Sequence, residues 1–373
     1  MAKTKSQSLT QVVSESLKKS FDIEAFKKSK YLDQSSNFKK QRWIPFSPAI
    51  REALSIPGVP MGHLFMARGG SDTGKTTLLI EIATTAQKMG ILPVFIITEM
   101  KWDFAHAKKM GFDCEAINSV DPETGEAGGL VNYKGFFLYV DRGSLNTIED
   151  VSGFMADILN EQKEGKLPYD LLFLWDSVGS IPCDMSVKQG NNNPMWNAGA
   201  MATQFGNFIN QQFPLSRKQN YPYTNTFFFI NKTGVQPALT PMSQPKMTNK
   251  GGNAMYWDST IVTTFGNITN SGTSKISVQH KGRKVEFAKR TKIAIDKIHA
   301  DYGIATTSTV IVTPHGFIPD TPEAIKEYKK AYAHEWFSEA VDVADLIQTE
   351  DNSEWEESSK LSPIVDVETE GVE

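Results

Sequence analysis

Short, unbroken apolar runs recur along the middle of the chain, at residues 62–68, 92–98 (Leu-Pro-Val-Phe-Ile-Ile-Thr), 136–141 (Phe-Phe-Leu-Tyr-Val-Asp), 170–176 (Asp-Leu-Leu-Phe-Leu-Trp-Asp) and 226–230 (Thr-Phe-Phe-Phe-Ile). Runs of this length with no polar alternation fit strands that are covered on both faces. Between most of them apolar residues return at helical spacing, over 77–89, 103–110, 146–163 and 197–213. Strands alternating with helices predict an α/β fold, a mainly parallel sheet flanked by helices. Past residue 258 the texture changes to strand and hairpin segments at 260–268, 275–279, 285–288, 292–296 and 307–312, followed by a helical stretch over 322–348. At the front, Leu9, Val12, Val13, Leu17, Phe21, Ile23 and Phe26 predict a short helix. Such a helix is marginal alone and is expected to dock on a partner surface.

Where the first apolar run gives way to the first helical pattern, the chain reads Gly69-Gly70-Ser71-Asp72-Thr73-Gly74-Lys75-Thr76, with Thr77 next. Gly69 and Gly74 allow the backbone to curl so that successive N–H groups point at phosphate oxygens, and the following helix aims its positive dipole end at the same place. Lys75 is placed to neutralise the β/γ charge and Thr76 to ligand Mg²⁺. A chance match in a glycine-rich turn is the bland alternative; the strand before and the helix after favour a site for ATP or GTP. Asp176 closes the fourth apolar run where a nucleotide-hydrolysing site uses an aspartate for the Mg²⁺ shell. Glu99 closes the second, and is open to two readings: a carboxylate that polarises the attacking water, or a helix-capping or surface carboxylate.

Two irregular stretches follow strands of the same series. One runs from Met185 to Met195; the other, polar and proline-bearing, runs from Thr233 to Asn249 and is closed by Lys250-Gly251-Gly252-Asn253-Ala254. Long loops inside a compact domain are functional or disordered. Leaving the sheet edge that carries the nucleotide loop, these two are suited to couple nucleotide state to a polymeric ligand.

Composition adds limits. The chain has 373 residues, 40% of them hydrophobic and 22% charged, with no apolar stretch near 18 residues and no secretory signal, so a soluble cytoplasmic protein without a membrane partner is expected. Cys114 and Cys183 form neither a disulfide framework nor a metal-ligand spacing. The net charge of −4 conceals polarity: residues 349–373 hold nine acidic residues and one lysine, which leaves the rest of the chain at +4. The acidic end reads as a solvated tail, or as a tethered polyanion that competes for a basic nucleic-acid groove.

At this point several motifs fall into register. Gly58-Val59-Pro60-Met61-Gly62 before the phosphate loop, Thr98-Glu99-Met100-Lys101-Trp102-Asp103 with Ala107 to Asp113, Asp176-Ser177, Phe229-Ile230-Asn231 and Gly251-Gly252-Asn253-Ala254 resemble, in order and spacing over residues 44–315, the RecA family of strand-exchange recombinases. Ser29-Lys30-Tyr31-Leu32 with Arg42-Trp43-Ile44-Pro45, and the acidic tail, look most like the bacteriophage recombinases of the UvsX type. The resemblance implies a RecA-like P-loop ATPase core at 44–320, an N-terminal oligomerisation segment at 1–43, a C-terminal helical segment at 321–348 and a disordered tail at 349–373. It implies that Glu99 is the catalytic carboxylate, that Asp103 contacts the adenine, and that loops 183–199 and 233–250 touch DNA, with Gly251, Gly252 and Asn253 near phosphates. ATP with Mg²⁺ would lie between protomers of a helical filament, where Lys297 of a neighbour reaches the γ-phosphate, and Tyr31-Leu32 would pack on the adjacent subunit.

The departures are informative. Lys232 stands where the bacterial family usually has a glutamine that senses the γ-phosphate, and Ile295 where a second lysine is expected. The arginines usual near the first DNA loop are absent, with Met201 and Phe208 near those places, so DNA charge is expected to be met by Lys188, Lys246 and Lys250, beside Asn249. The run Lys281-Gly282-Arg283-Lys284 and Lys289-Arg290-Thr291-Lys292 offers a secondary DNA path or a solvated hairpin. The function implied is a DNA-dependent ATPase that coats single-stranded DNA and exchanges strands with duplex DNA in recombination, repair and recombination-dependent replication, alongside a single-strand-binding protein and a loading mediator. A hexameric helicase motor and a non-hydrolysing DNA coat are the alternatives.

Overall fold

The computed structural model describes residues 39–120, 127–191, 193–236, 246–268, 274–280, 283–299 and 306–336. The expected N-terminal helix, the acidic tail and residues 237–245 of the second loop lie outside the described residues.

The chain enters through β1 (Trp43–Pro45), α1 (Pro48–Leu54) and β2 (Gly58–Pro60), which pairs antiparallel with β1. The α/β alternation then runs β3 (Leu64–Gly69), α2 (Lys75–Lys88), β4 (Leu92–Ile97), α3 (Phe104–Lys109), a hairpin of β5 (Glu115–Val120) and β6 (Ala127–Lys134), β7 (Leu138–Asp141), α4 (Ile148–Lys163) and β8 (Leu171–Asp176). Beyond it come α5 (Asp184–Lys188), α6 (Pro194–Met201), a π-turn at Ala202–Gly206, α7 (Asn207–Arg217), β9 (Thr226–Gln236), β10 (Lys246–Asn249) and α8 (Ala254–Asp258). The last described part holds β11 (Ile261–Asn267), β12 (Lys275–His280), β13 (Arg283–Ile298), β14 (Thr307–Thr313), β15 (Gly316–Pro319) and α9 (Pro322–Trp336).

One large sheet organises these elements. Its parallel part has the order β11-β3-β9-β8-β4-β7, and β13, β14 and β15 extend it antiparallel beyond β11. The apolar runs are unbroken because both faces are buried. In β3, Phe65 and Ala67 join one core with Leu78, Leu79 and Ile82 of α2, while Leu64 and Met66 join another with Val151 and Met155 of α4 and Ile209 of α7. Rings stack across strands on both faces, Phe65 on Phe228 at 5.2 Å and Phe173 on Phe227 at 5.1 Å. A third cluster packs Ile276, Phe287 and Ile311 against Ile325 and Tyr328 of α9.

The structure corrects several expectations. The segments at 285–288 and 292–296 are one strand, β13, because its length serves three partners, β12, β14 and β11. The stretch from Met185 to Met195 is not irregular throughout, since α5 occupies its start and α6 begins at Pro194. The second loop begins as strand: β9 continues past the sheet edge and pairs antiparallel with β10, from Thr233↔Asn249 to Gln236↔Lys246. The helix expected over 197–213 is broken by the π-turn and extends to Arg217 with Pro214 inside it. The β5–β6 hairpin was not legible as strands. Among the described residues no helix is long and apolar enough to cross a membrane, and both cysteines are buried and unpaired with each other.

Candidate functional site

Parallel strands deliver their C-terminal ends to one edge, and there the sequence motifs meet. β3 ends at Gly69, whose φ is +146° and where an added Cβ would lie 2.0 Å from the Phe265 carbonyl oxygen, so only glycine fits. Gly74 repeats the logic at the N-cap of α2, with φ +94° and Val312 and Phe317 packed against it. Between them Gly70, Ser71, Asp72 and Thr73 form an outward turn. Ser71 and Asp72 are exposed, while Thr73, Lys75 and Thr77 are buried.

Lys75 folds back inside this turn, donating to the Gly70 carbonyl, with the Thr73 hydroxyl 3.4 Å away. Burial lowers the affinity of its amine for a proton, and the Asp176 and Glu99 charges oppose that effect. Thr76 donates from Oγ1 to Asp176 Oδ2 at 2.7 Å, which joins the loop to the end of β8. Burial pushes the Asp176 carboxyl up to about 6; the Thr76 hydroxyl works against the shift and the Glu99 charge adds to it.

Glu99, just past β4, is neither a cap nor a surface carboxylate. Its Oε1 accepts from Lys232 Nζ at 2.9 Å and also from the Ser177 hydroxyl. Burial alone would raise its carboxyl, but the hydrogen bonds from Ser177 and Lys232 and the Lys232 charge outweigh burial and hold it below its ordinary value. Lys232 sits in β9 directly opposite Gly69, so the phosphate loop, Glu99 and Asp176 share one cluster with it. Asp103 lies one turn further on as the N-cap of α3, accepting from Ala105 N at 2.8 Å.

The foot of the second loop is wired into the same edge. Lys250 N donates to the Lys232 carbonyl at 3.0 Å, and Asn231 Nδ2 to the Lys250 carbonyl at 3.0 Å. Asn249 Nδ2 donates to Asn253 Oδ1 at 3.0 Å. Gly251 and Gly252 turn with φ +75° and +84°, and a Cβ on Gly252 would lie 2.7 Å from that of Ala198, so this turn seats directly on α6 of the first loop. Lys188 closes α5 in an exposed position, and Lys246 opens β10. Lys297 stands apart from the phosphate loop in its own chain: its amine donates to the Tyr256 and Trp257 carbonyls at 3.1 and 2.6 Å.

Two other residues at this edge were given no role by the sequence. Ser177 holds Glu99. Arg68 precedes Gly69 and ion-pairs with Asp296 at 3.0 Å, donates to Thr264 and Asn249, and lies 4.9 Å over the Tyr256 ring. In the basic run on β13, Lys289 donates to the Asp72 carbonyl at 3.2 Å and to Asn267 at 2.7 Å. Arg290 is held by Asp320 at 2.8 Å.

The class defined by this architecture is an α/β protein whose mostly parallel sheet, flanked by helices, gathers a glycine-rich loop and two carboxylates at one edge, compatible with a RecA-like core. Residues 11–134 match the family model described as the RecA N-terminal domain. Protein RecA of Geobacter sulfurreducens is 39% identical over 74 residues, 20% of this chain and 22% of the relative. Protein RecA of Heliobacterium modesticaldum is 39% identical over 80 residues, 21% of this chain and 23% of the relative. Protein RecA of Clostridium tetani is 40% identical over 76 residues, 20% and 22%. Over residues 11–134 the chain is similar to the RecA family. The matched stretch spans about a fifth of the length of these curated relatives.

Proposed function

We propose that the protein is an ATP-dependent DNA recombinase, most similar to the UvsX type, that assembles as a helical filament on single-stranded DNA and exchanges strands with a homologous duplex. The observation that carries this reading is the pair of contacts at the strand edge, Thr76 to Asp176 at 2.7 Å beside Lys232 to Glu99 at 2.9 Å. A hydroxyl and a carboxylate in mutual reach fit the shell of a Mg²⁺ ion, and the buried Lys75 inside a glycine turn fits a triphosphate.

In this reading Gly69 to Thr77 wrap the phosphates, Lys75 neutralises them, Thr76 and Asp176 hold Mg²⁺, and Asp103 meets the base. The ion would supply charge compensation on the phosphates. Glu99, kept ionised by Ser177 and Lys232, orients the attacking water. Lys232 has two possible anionic partners, Glu99 and a γ-phosphate, so it would report the phosphate by leaving the carboxylate. Asn231 and Lys250 bind β9 to the foot of the second loop, and this supports a path from nucleotide to DNA.

Lys297, turned away from its own chain's phosphate loop, suits the role of a cation offered to a neighbouring protomer. Residues 1–43 would bind that neighbour, the 44–320 core would carry ATP, and the segments 321–348 and 349–373 would pack on it and modulate it. The DNA surface would combine Lys188 with Lys246, Asn249, Lys250, Gly251, Gly252 and Asn253. In a cell the filament would form in the cytoplasm, in competition with a single-strand-binding protein and with the help of a mediator.

The test is ATP turnover with and without single-stranded DNA, combined with electron microscopy in ATP. DNA-stimulated turnover and open helical filaments are expected. Closed rings would favour a helicase motor, and tight DNA binding without turnover would leave only a coat.

A further inference from the structure

The first loop is poor in positive charge, with Lys188 the single basic residue between Cys183 and Gly199. The fold brings another cation to it from a distant part of the chain. Arg142, in the turn after β7, donates from Nη1 to the Ser180 carbonyl at 2.9 Å. It rims a cavity of about 280 Å³ whose polar lining is Ser180, Ser186 and Asn191, with Gly190 leaving open space where a side chain would stand. None of the described lining residues is acidic. The adjacent Asp141 accepts from the Gly143 N–H at 2.9 Å through Oδ1.

We propose that this cavity seats a backbone phosphate of the bound single strand, with Arg142 as the residue that binds it. The proposal rests on the DNA-binding reading above and supplies a phosphate contact that the first loop's own sequence lacks. A guanidinium has five N–H donors in a fixed fork, and one of them is used on Ser180.

The floor of the cavity also leads to the nucleotide site. Ser180 Oγ donates to the Ser177 carbonyl at 2.6 Å, and the Ser177 hydroxyl donates to Glu99. A phosphate drawn against Arg142 and Ser180 therefore acts two hydrogen bonds from the catalytic carboxylate. Strand occupancy at the first loop would reach Glu99 without passing through the second loop.

The experiment is the salt dependence of oligothymidylate binding by the full chain with ATP and Mg²⁺, followed by fluorescence anisotropy. Each phosphate contact on a single strand contributes about 0.7 to the slope of log affinity against log salt. Arg142→Gln, which keeps an N–H donor for Ser180 but no charge, is expected to flatten the slope by about 0.7 and to weaken binding roughly tenfold near 50 mM salt. Arg142→Lys should keep the slope. Asn191→Asp, isosteric and harmless to packing, should weaken binding at low salt and converge with the parent at high salt.

An unmoved slope in Arg142→Gln, or Asn191→Asp binding with parental affinity at low salt, overturns the cavity as a DNA site. So does a loss confined to inorganic phosphate at matched ionic strength, which would make it a free-anion site. If the parent protein itself fails to bind oligothymidylate, the functional reading falls and takes the cavity with it. Parental binding with an unchanged slope in the variant removes the cavity alone.

Discussion

Arg68 and Asn249 are 181 positions apart in the chain and are joined by a hydrogen bond of 3.1 Å from the guanidinium Nη1 to the amide oxygen. Arg68 immediately precedes the phosphate loop, and Asn249 ends the strand that returns from the second loop. A single charged side chain thus touches the start of one functional segment and the foot of the other, while Asp296 and Thr264 hold it in place.

Arg68→Lys should keep the attraction to Asp296 and lose the forked reach to Asn249. The expected cost is about 1.5–3 kcal/mol in urea unfolding, the scale of hydrogen bonds to a charged group. The factor by which an ATP analogue raises single-strand affinity should shrink. Because linkage is reciprocal, the factor by which DNA raises analogue affinity must shrink equally. Factors left at the parental value in both titrations would show that Arg68 does not couple the sites.

Glu99→Gln preserves the shape of the side chain and removes its charge. Turnover should fall by roughly 10²–10⁴, the range for a positioned general base, with analogue affinity changed only a few-fold. Lys232→Gln should weaken ATP binding and alter the stimulation of turnover by DNA. If steady-state kinetics show both quantities at parental levels, Lys232 has no sensing role.

The carboxylate of Glu81 in α2 is enclosed between Ser47 and Phe317, where burial pushes it up to about 7 despite hydrogen bonds from Phe317 N and Ser47 Oγ. The folded protein therefore holds a proton that the unfolded chain has released, in the window between the ordinary value of 4.5 and about 7. Folding stability from this group falls as pH rises through that window, by roughly 3 kcal/mol at about 1.4 kcal/mol per unit. Glu81→Gln should remove this slope and be the more stable protein at pH 8. Thermal unfolding of both proteins at pH 5 and pH 8 checks it, and a gap that does not change with pH would refute the shift.

Gly69→Ala would force a methyl group to within 2.0 Å of the Phe265 carbonyl oxygen. The strands β3 and β11 must then part, at a cost of about 1–3 kcal/mol for overpacking, and the phosphate loop loses its curl. Analogue affinity is expected to collapse further than stability does. Equal losses in isothermal titration and in urea unfolding would mean that the glycine serves the sheet alone.

How far the sequence could be read depended on the kind of signal. The strands β3, β4, β8 and β9 were legible because a sheet buried on both faces leaves no polar alternation, and Lys75, Thr76, Glu99 and Asp176 followed because parallel strands end at one edge. Strand β13 was read as two pieces because Lys289-Arg290-Thr291-Lys292 looks polar throughout, although Thr291 is fully buried and Lys292 exposed in regular alternation. The helix α5 was missed because five residues carry too little periodicity. Ser177 was visible only as part of the Asp176-Ser177 motif, and its hold on Glu99 depends on a neighbouring strand; Arg68 gave no local sign at all, because its role depends on Asp296, 228 positions away. Contacts made by sheet order cannot be spelled by spacing along the chain.

The strand β9 crosses from one kind of pairing to another without a break, parallel beside β3 up to Lys232 and antiparallel beside β10 from Thr233 to Gln236. At about 3.4 Å per residue, the portion beyond Lys232 projects roughly 14 Å from the nucleotide edge. Two paired strands are stiff against bending in the plane of the sheet, so a small tilt at Lys232 is magnified at the far end instead of being absorbed on the way. In the proposed reading this hairpin would act as a lever between phosphate and polymer, with its fulcrum in the sheet and its throw set by hairpin length. Shortening β9 and β10 by a matched pair of residues would change the reach of the signal while leaving the chemistry at its base untouched.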